Sequence, residues 1–143
     1  MSSQSNLLPS ILVIEADADL RESLCTLLGM EGFEPIAAAS HAEAEAHLCQ
    51  GPLPLAILMD GDLPTPLTEA FLAGWARGRA RKVPLLALAE NRGQARRVPL
   101  SRATSYLLKP VQLDALLGTL RRVLGRKRAL ELREAPQTLE LPL

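Results

Sequence analysis

The chain has 143 residues, 48% of them hydrophobic and 3% aromatic, with 16 basic and 16 acidic side chains. That is the size of one domain whose core must be filled by Leu, Ile, Val and Ala, and it excludes a disordered chain. No apolar run approaches the roughly 20 residues of a membrane-spanning helix, and Met1 to Asn6 lacks the basic and apolar segments of a secretion signal. Cys25 and Cys49 form no CxxC motif, and each falls within a helical pattern, so a reduced, cytoplasmic setting is expected. The net charge of zero hides an asymmetry. Residues 1–66 hold 10 acids and 1 base, and residues 67–143 hold 6 acids and 15 bases. An uneven solvated surface accounts for this, as does an acidic site on one side with a basic partner-binding face on the other.

Ser10 to Ile14 is a short apolar, β-branched run and predicts a strand buried on both faces. A helix follows, with Asp19 as its cap and Gly29 near its end, and Leu20, Leu24, Leu27 and Leu28 on one stripe. Phe33 to Ala38 predicts a second strand. Ser40-His-Ala-Glu43 is a capping box opening an alanine-rich helix that runs to Gln50 and stops at Gly51-Pro52. Leu55 to Met59 predicts a third buried strand, followed by the loop Asp60-Gly-Asp-Leu-Pro64. The next helix spans about Pro66 to Arg77, with Leu67, Phe71, Leu72 and Trp75 facing inward. After the basic connector Arg77 to Lys82, Val83 to Leu88 predicts a fourth strand. A short helix lies within Arg92 to Val98, stopped by Pro99. Ser105 to Leu108 predicts a fifth strand, and Gln112 to Leu124 a helix with Leu113, Leu116, Leu117, Leu120 and Leu124 inward. Residues 1–9 read as a tail, 10–125 as the domain, and 126–143 as an extension or linker. The extension opens on the basic cluster Arg126 to Arg128, and Leu130 to Glu134 could lengthen the last helix.

Five apolar strands alternating with helices predict a parallel sheet covered on both faces, and right-handed crossovers make it doubly wound. In such sheets the chemistry sits at the C-terminal strand edge, at the switch in strand order. That places Glu15, Ala16 and Asp17 after strand 1, Asp60 and Asp62 after strand 3, Ala89 and Glu90 after strand 4, and Lys109 after strand 5. Carboxylates and a lysine converging there suit a divalent cation and a phosphoryl group. Clustered carboxylates raise each other's pKa unless a cation joins them. Magnesium takes carboxylates, retained waters and phosphate oxygens. An aspartate can attack phosphorus, and an ammonium can pair with the added charge. Taken singly, Asp60 could be a loop acid, Lys109 a surface lysine and Glu15 a solvated strand-end acid. His41 and His47 miss the i, i+4 face needed for a metal and are expected to be exposed helix residues. Trp75 fits a helix stripe. No phosphate-loop or dinucleotide fingerprint is present.

From about Ser10 to Gly125 the chain resembles the receiver domain of bacterial response regulators. Four segments carry the resemblance: Ile11 to Leu20 (ILVIEADADL), Leu58 to Pro64 (LMDGDLP), Val83 to Leu88 (VPLLAL) and Tyr106 to Pro110 (YLLKP). It implies a flavodoxin-like five-stranded sheet of order 2-1-3-4-5 and a role in two-component phosphorelay signalling, not an enzyme's. It further implies Asp60 as phosphoacceptor, Lys109 as the phosphoryl-contacting lysine, Pro64 as part of the family loop, and Ala89 and Tyr106 as switch positions. A histidine kinase or phosphotransfer protein would be the partner, and two copies could pair through the strand 4 to helix 5 face. The chain departs from the family twice. Receivers carry two adjacent acids after strand 1, whereas here Ala16 follows Glu15 and Asp17 comes one residue late. Any Mg2+ would rest on a weakened set of Glu15, Asp60 and the backbone carbonyl of Asp62. Ala89 also stands where a Ser or Thr hydroxyl is usual, with Glu90 in place of a small residue, and the short helix before Pro99 counts against the pairing mode. An alternative is therefore a phosphorylation-independent receiver acting as a protein-interaction module. A third possibility is a nucleic-acid binder using Arg92, Arg96, Arg97, Arg102 and Arg126 to Arg128. No aromatics interleave those bases.

Overall fold

The computed structural model describes residues 9–134, with the side chains of 9–125. Five strands, β1 (Ser10–Ile14), β2 (Glu34–Ala38), β3 (Ala56–Asp60), β4 (Leu85–Ala89) and β5 (Ser105–Leu108), form one sheet in the order β2-β1-β3-β4-β5. Every neighbouring pair is parallel. The helices are α1 (Ala18–Met30), α2 (His41–Gln50), α3 (Thr65–Arg77), α4 (Arg92–Arg96) and α5 (Leu113–Glu134), with a 3-10 turn at Leu100–Arg102.

The central strands β1, β3 and β4 are almost wholly apolar because both of their faces are covered. Leu12, Ile14, Ile57, Met59, Leu85 and Ala87 pack with Ala44 and Leu48 of α2, Phe71 and Leu72 of α3 and Ala95 of α4. The alternate residues Ile11, Val13, Leu58, Leu86 and Leu88 pack with Leu24 and Leu28 of α1 and Leu116, Leu120 and Val123 of α5. Period-two alternation between two apolar layers is what a doubly wound sheet requires.

Several expectations shift. The cap of α1 is Asp17, whose side chain accepts from the Leu20 N–H at 3.1 Å, and Asp19 lies inside the first turn. An Asx cap needs its amide partner three residues on, and Asp17 meets that requirement. Leu67 is 57% exposed, because the inward stripe of α3 is Thr68, Phe71 and Leu72. His41, expected outside, is only 7% exposed. It stacks on Phe71 with ring centroids 4.8 Å apart, and its Nε2 lies 3.1 Å from Thr68 Oγ1. His47 is exposed as expected. Trp75 is half-buried and donates its Nε1–H to the Val83 carbonyl at 2.9 Å. The α5 backbone continues to Glu134 without a break at Leu124. The side chains of the Arg126 to Arg128 cluster lie outside the described residues, as do the tail before residue 9 and the stretch after Glu134.

Candidate functional site

The C-terminal strand edge gathers the expected residues around one ammonium. Asp60, the last residue of β3, is 5% exposed. Lys109 Nζ donates to Asp60 Oδ1 at 2.7 Å and to Asp62 Oδ2 at 2.9 Å, and lies 3.7 Å from Glu90 Oε2. Asp60 Oδ1 also accepts from the Asp62 N–H at 3.1 Å. Burial works against the Lys109 charge, but hydrogen bonds to Asp60 and then Asp62 more than offset it and raise the ammonium pKa. The Lys109 and Gln94 donors hold the Asp62 carboxyl below its ordinary range. The β3–α3 turn is tight at Gly61, where a Cβ would come within 2.5 Å of the Leu88 carbonyl oxygen and 2.7 Å of Leu100 Cδ1. Only glycine lets the loop lie this close to β4 and so brings Asp62 to the lysine.

Glu15 sits on the other flank of Asp60, 2% exposed. Its Oε2 accepts from the Asp17 N–H at 3.1 Å, while its buried Oε1 has no hydrogen-bond partner. Burial pushes the carboxyl up to about 7. The Asp17 N–H opposes that rise, and Asp60 reinforces it by charge and by bonding to the protonated form. A proton on the Glu15 carboxyl, donated toward Asp60, would satisfy the orphaned oxygen. Asp17 is committed to capping α1, and Ala16 is exposed with no donor to offer, so the second acid of the usual pair is absent from the cluster. No group of three or more His, Cys, Asp or Glu side chains among the described residues is arranged to hold a metal ion. The donors that remain, the orphaned Glu15 Oε1 and Asp60, fit a hydrated magnesium ion, which takes one or two carboxylates and keeps its waters.

Ala89 is fully buried and brings no hydroxyl to the site. Tyr106 is partly buried against the core layer shared with α2, α3 and α4. One residue that sequence reasoning passed over is Gln94. Its backbone N–H is capped by Asn91 Oδ1 at 2.8 Å, and its Oε1 accepts from the Glu90 N–H at 2.6 Å. Its Nε2 donates to Asp62 Oδ1 at 3.1 Å and to the Gly61 carbonyl at 3.3 Å. Gln94 thus ties the β4–α4 loop to the β3–α3 loop across the site. The Asn-x-x-Gln spacing of a capping box was the available signal.

An acidic cluster with a lysine at the β1/β3 switch point of a doubly wound five-stranded sheet defines a receiver-type module. No family model matches the chain. It is 30% identical over 119 residues to the phosphate regulon transcriptional regulatory protein PhoB of Escherichia coli, covering 81% of this chain and 52% of PhoB. It is 32% identical over 130 residues to the transcriptional regulatory protein GltR of Pseudomonas aeruginosa, covering 87% of this chain and 52% of GltR. The chain therefore spans about half the length of these relatives. Among solved structures, the receiver domain of a sensor histidine kinase from Pseudomonas aeruginosa, with magnesium in its active-site cleft, superposes with a TM-score of 0.71. That match has 26% identity and covers 83% of this chain and 99% of that one. The chain is a response-regulator receiver domain of the two-component signalling kind.

Proposed function

We propose that this receiver works as a phosphorelay switch with Asp60 as its phosphoacceptor and Lys109 as the residue that pairs with the incoming phosphoryl group. The observation that carries this is the Lys109 Nζ held 2.7 Å from a nearly buried Asp60 at the switch point of the sheet. Oδ1 of Asp60 takes both the lysine and the Asp62 N–H, which leaves Oδ2 as the attacking oxygen. In transfer from a phosphohistidine, the P–N bond breaks, a P–O bond to Asp60 forms, and the leaving imidazole takes up a proton. Lys109 then exchanges part of its pairing with Asp62 and Glu90 for phosphoryl oxygens. Magnesium, when bound, neutralises phosphoryl charge, and Glu15 and Asp60 would hold it. The module acts as a switch between conformations and not as an enzyme. Its partner would be a histidine kinase or phosphotransfer protein. Residues 10–125 would form the functional unit, with 126–143 as an extension or linker.

A second reading is a constitutive interaction module that has lost phosphorylation. It is favoured by Ala89, which offers no hydroxyl, and by Glu90, whose carboxylate already lies 3.7 Å from Lys109. Backbone NMR with Mg2+ and beryllofluoride separates the two. The phosphoacceptor reading expects amide shifts at Asp60, Ala89 and Lys109 that vanish in Asp60→Ala. Unchanged spectra at saturating Mg2+ favour the constitutive module.

A further inference from the structure

The charge asymmetry of the sequence becomes a spatial one through the topology. Residues 1–66 hold ten acids and one base, and residues 67–125 hold eleven bases and three acids. The order β2-β1-β3-β4-β5 puts β1 and β2 with α1 and α2 at one end of the sheet and β4 and β5 with α4 and α5 at the other, while Arg77, Arg79, Arg81 and Lys82 belong to α3 and the segment after it, beside α2. Helices follow their strands: α1 and α2 pack against β1 and β2, α4 against β4, and α5 against β5.

The β2 edge is therefore acidic. Asp19, Glu22, Glu31, Glu34 and Glu45 are all exposed there. The single base of this half, Arg21, is engaged with the carbonyls of Glu15 at 2.8 Å and Ala16 at 3.4 Å. The β5 edge is basic, with Arg92, Arg96, Arg102, Arg121 and Arg122 exposed. Ion pairs among the described residues all converge on Lys109, so neither edge is compensated among those residues. The two edges lie at opposite ends of one sheet and cannot meet in one molecule.

We propose that copies of this chain associate head to tail, the arginine-bearing β5 edge of one docking on the acidic β2 edge of the next. Guanidinium groups pair bidentately with carboxylates, and the exposed bases named on this edge are all arginines. The contact uses two different patches, so it leaves one free edge at each end and builds open chains. A symmetric dimer through the β5 edge would set its five exposed arginines against a second set of five, with only Glu90 and Asp114 as exposed acids to offset them. A nucleic acid on that edge would leave the acidic edge without a partner.

The test is sedimentation velocity of the full chain over a range of concentrations at about 20 mM and about 300 mM NaCl, where screening differs several-fold. At low salt the weight-average mass rises past that of two chains, and the association constant falls at least roughly tenfold at high salt. Arg96→Glu with Arg102→Glu nearly neutralises the basic edge and leaves the acidic edge intact. Glu31→Lys with Glu34→Lys nearly neutralises the acidic edge and leaves the basic edge intact. Each folds, by circular dichroism, and stays monomeric alone, and equimolar mixing restores association. Any of three results overturns the proposal: a monomer at low salt, growth that stops at a dimer and ignores the acidic-edge variant, or no complex in the mixture. A monomer at low salt that binds a duplex oligonucleotide would assign the basic edge to nucleic acid instead.

Discussion

Replacing Glu15 with Gln should stabilise the protein, and only on the alkaline side. The carboxyl is 2% exposed and its pKa rises from 4.5 to about 7 on folding. Below pH 4.5 the group is protonated in both folded and unfolded chains and contributes nothing. Between 4.5 and 7 the unfolded chain ionises while the folded one keeps its proton, so stability falls by roughly 1.4 kcal/mol per pH unit. Above 7 the loss levels off at about 3 kcal/mol, an upper bound on what Gln removes. Glutamine resembles the protonated acid. Its Oε1 can accept from the Asp17 N–H, and its amide can donate to Asp60. Urea unfolding followed by the fluorescence of Trp75, the sole tryptophan, measures the difference at each pH. Glu15→Gln is expected to gain about 2 to 3 kcal/mol at pH 8 and under about 1 kcal/mol at pH 5. An equal change at both pH values would mean that Glu15 ionises normally, and the burial argument would fail.

Lys109→Ala leaves Asp60 and Asp62 without their shared cation and should cost roughly 3 kcal/mol by the same urea assay. Gly61→Ala forces a methyl into the Leu88 carbonyl and Leu100; a loss of about 2 kcal/mol, with amide shifts in the β3–α3 loop, is expected. The His41 pKa is lowered by burial from 6.5, against a smaller opposing effect of Asp60. The unfolded chain therefore takes up a proton below pH 6.5 before the folded one does, and stability declines with acid. His41→Phe keeps the stack on Phe71 but not the titration. Relative to the parent it should lose about 1 kcal/mol at pH 7.5 from the Thr68 hydrogen bond and recover ground by pH 5.

Backbone architecture was legible because it follows from simple periodicities. The first and fifth strands fall where the apolar runs place them, and the others move by one or two residues. Switch-point logic also put Asp60, Lys109, Asp62 and Glu15 at one edge, and they meet there. What escaped notice depends on contacts far apart in sequence. His41 looked exposed because helix α2 was read alone. Its burial comes from Phe71 and Thr68, about thirty residues on. Gln94 was not singled out within its short helix, because its importance comes from Asp62, 32 positions away. Leu67 looked inward because apolar character was the criterion, whereas α3 turns the polar Thr68 inward to meet His41.

The two departures from the receiver pattern act on the same charge balance. With Asp17 capping α1, Glu15 is the one carboxylate that loop brings beside Asp60, and burial there favours its protonated form. Gaining Glu90 adds a carboxylate on the opposite flank of Lys109. Negative charge has moved from the metal side of Asp60 to the lysine side, while Asp62 and Gln94 hold the two loops together between them. With Lys109 shared among three carboxylates, a phosphoryl group arriving as proposed would have to compete for a cation that is already paired, with less compensation from the side of Glu15. Under the proposed phosphoacceptor reading, the chemistry at Asp60 would turn on how readily Asp62 and Glu90 release the lysine, and Gln94 bears on that release because it bonds the Asp62 carboxylate and the Glu90 amide together.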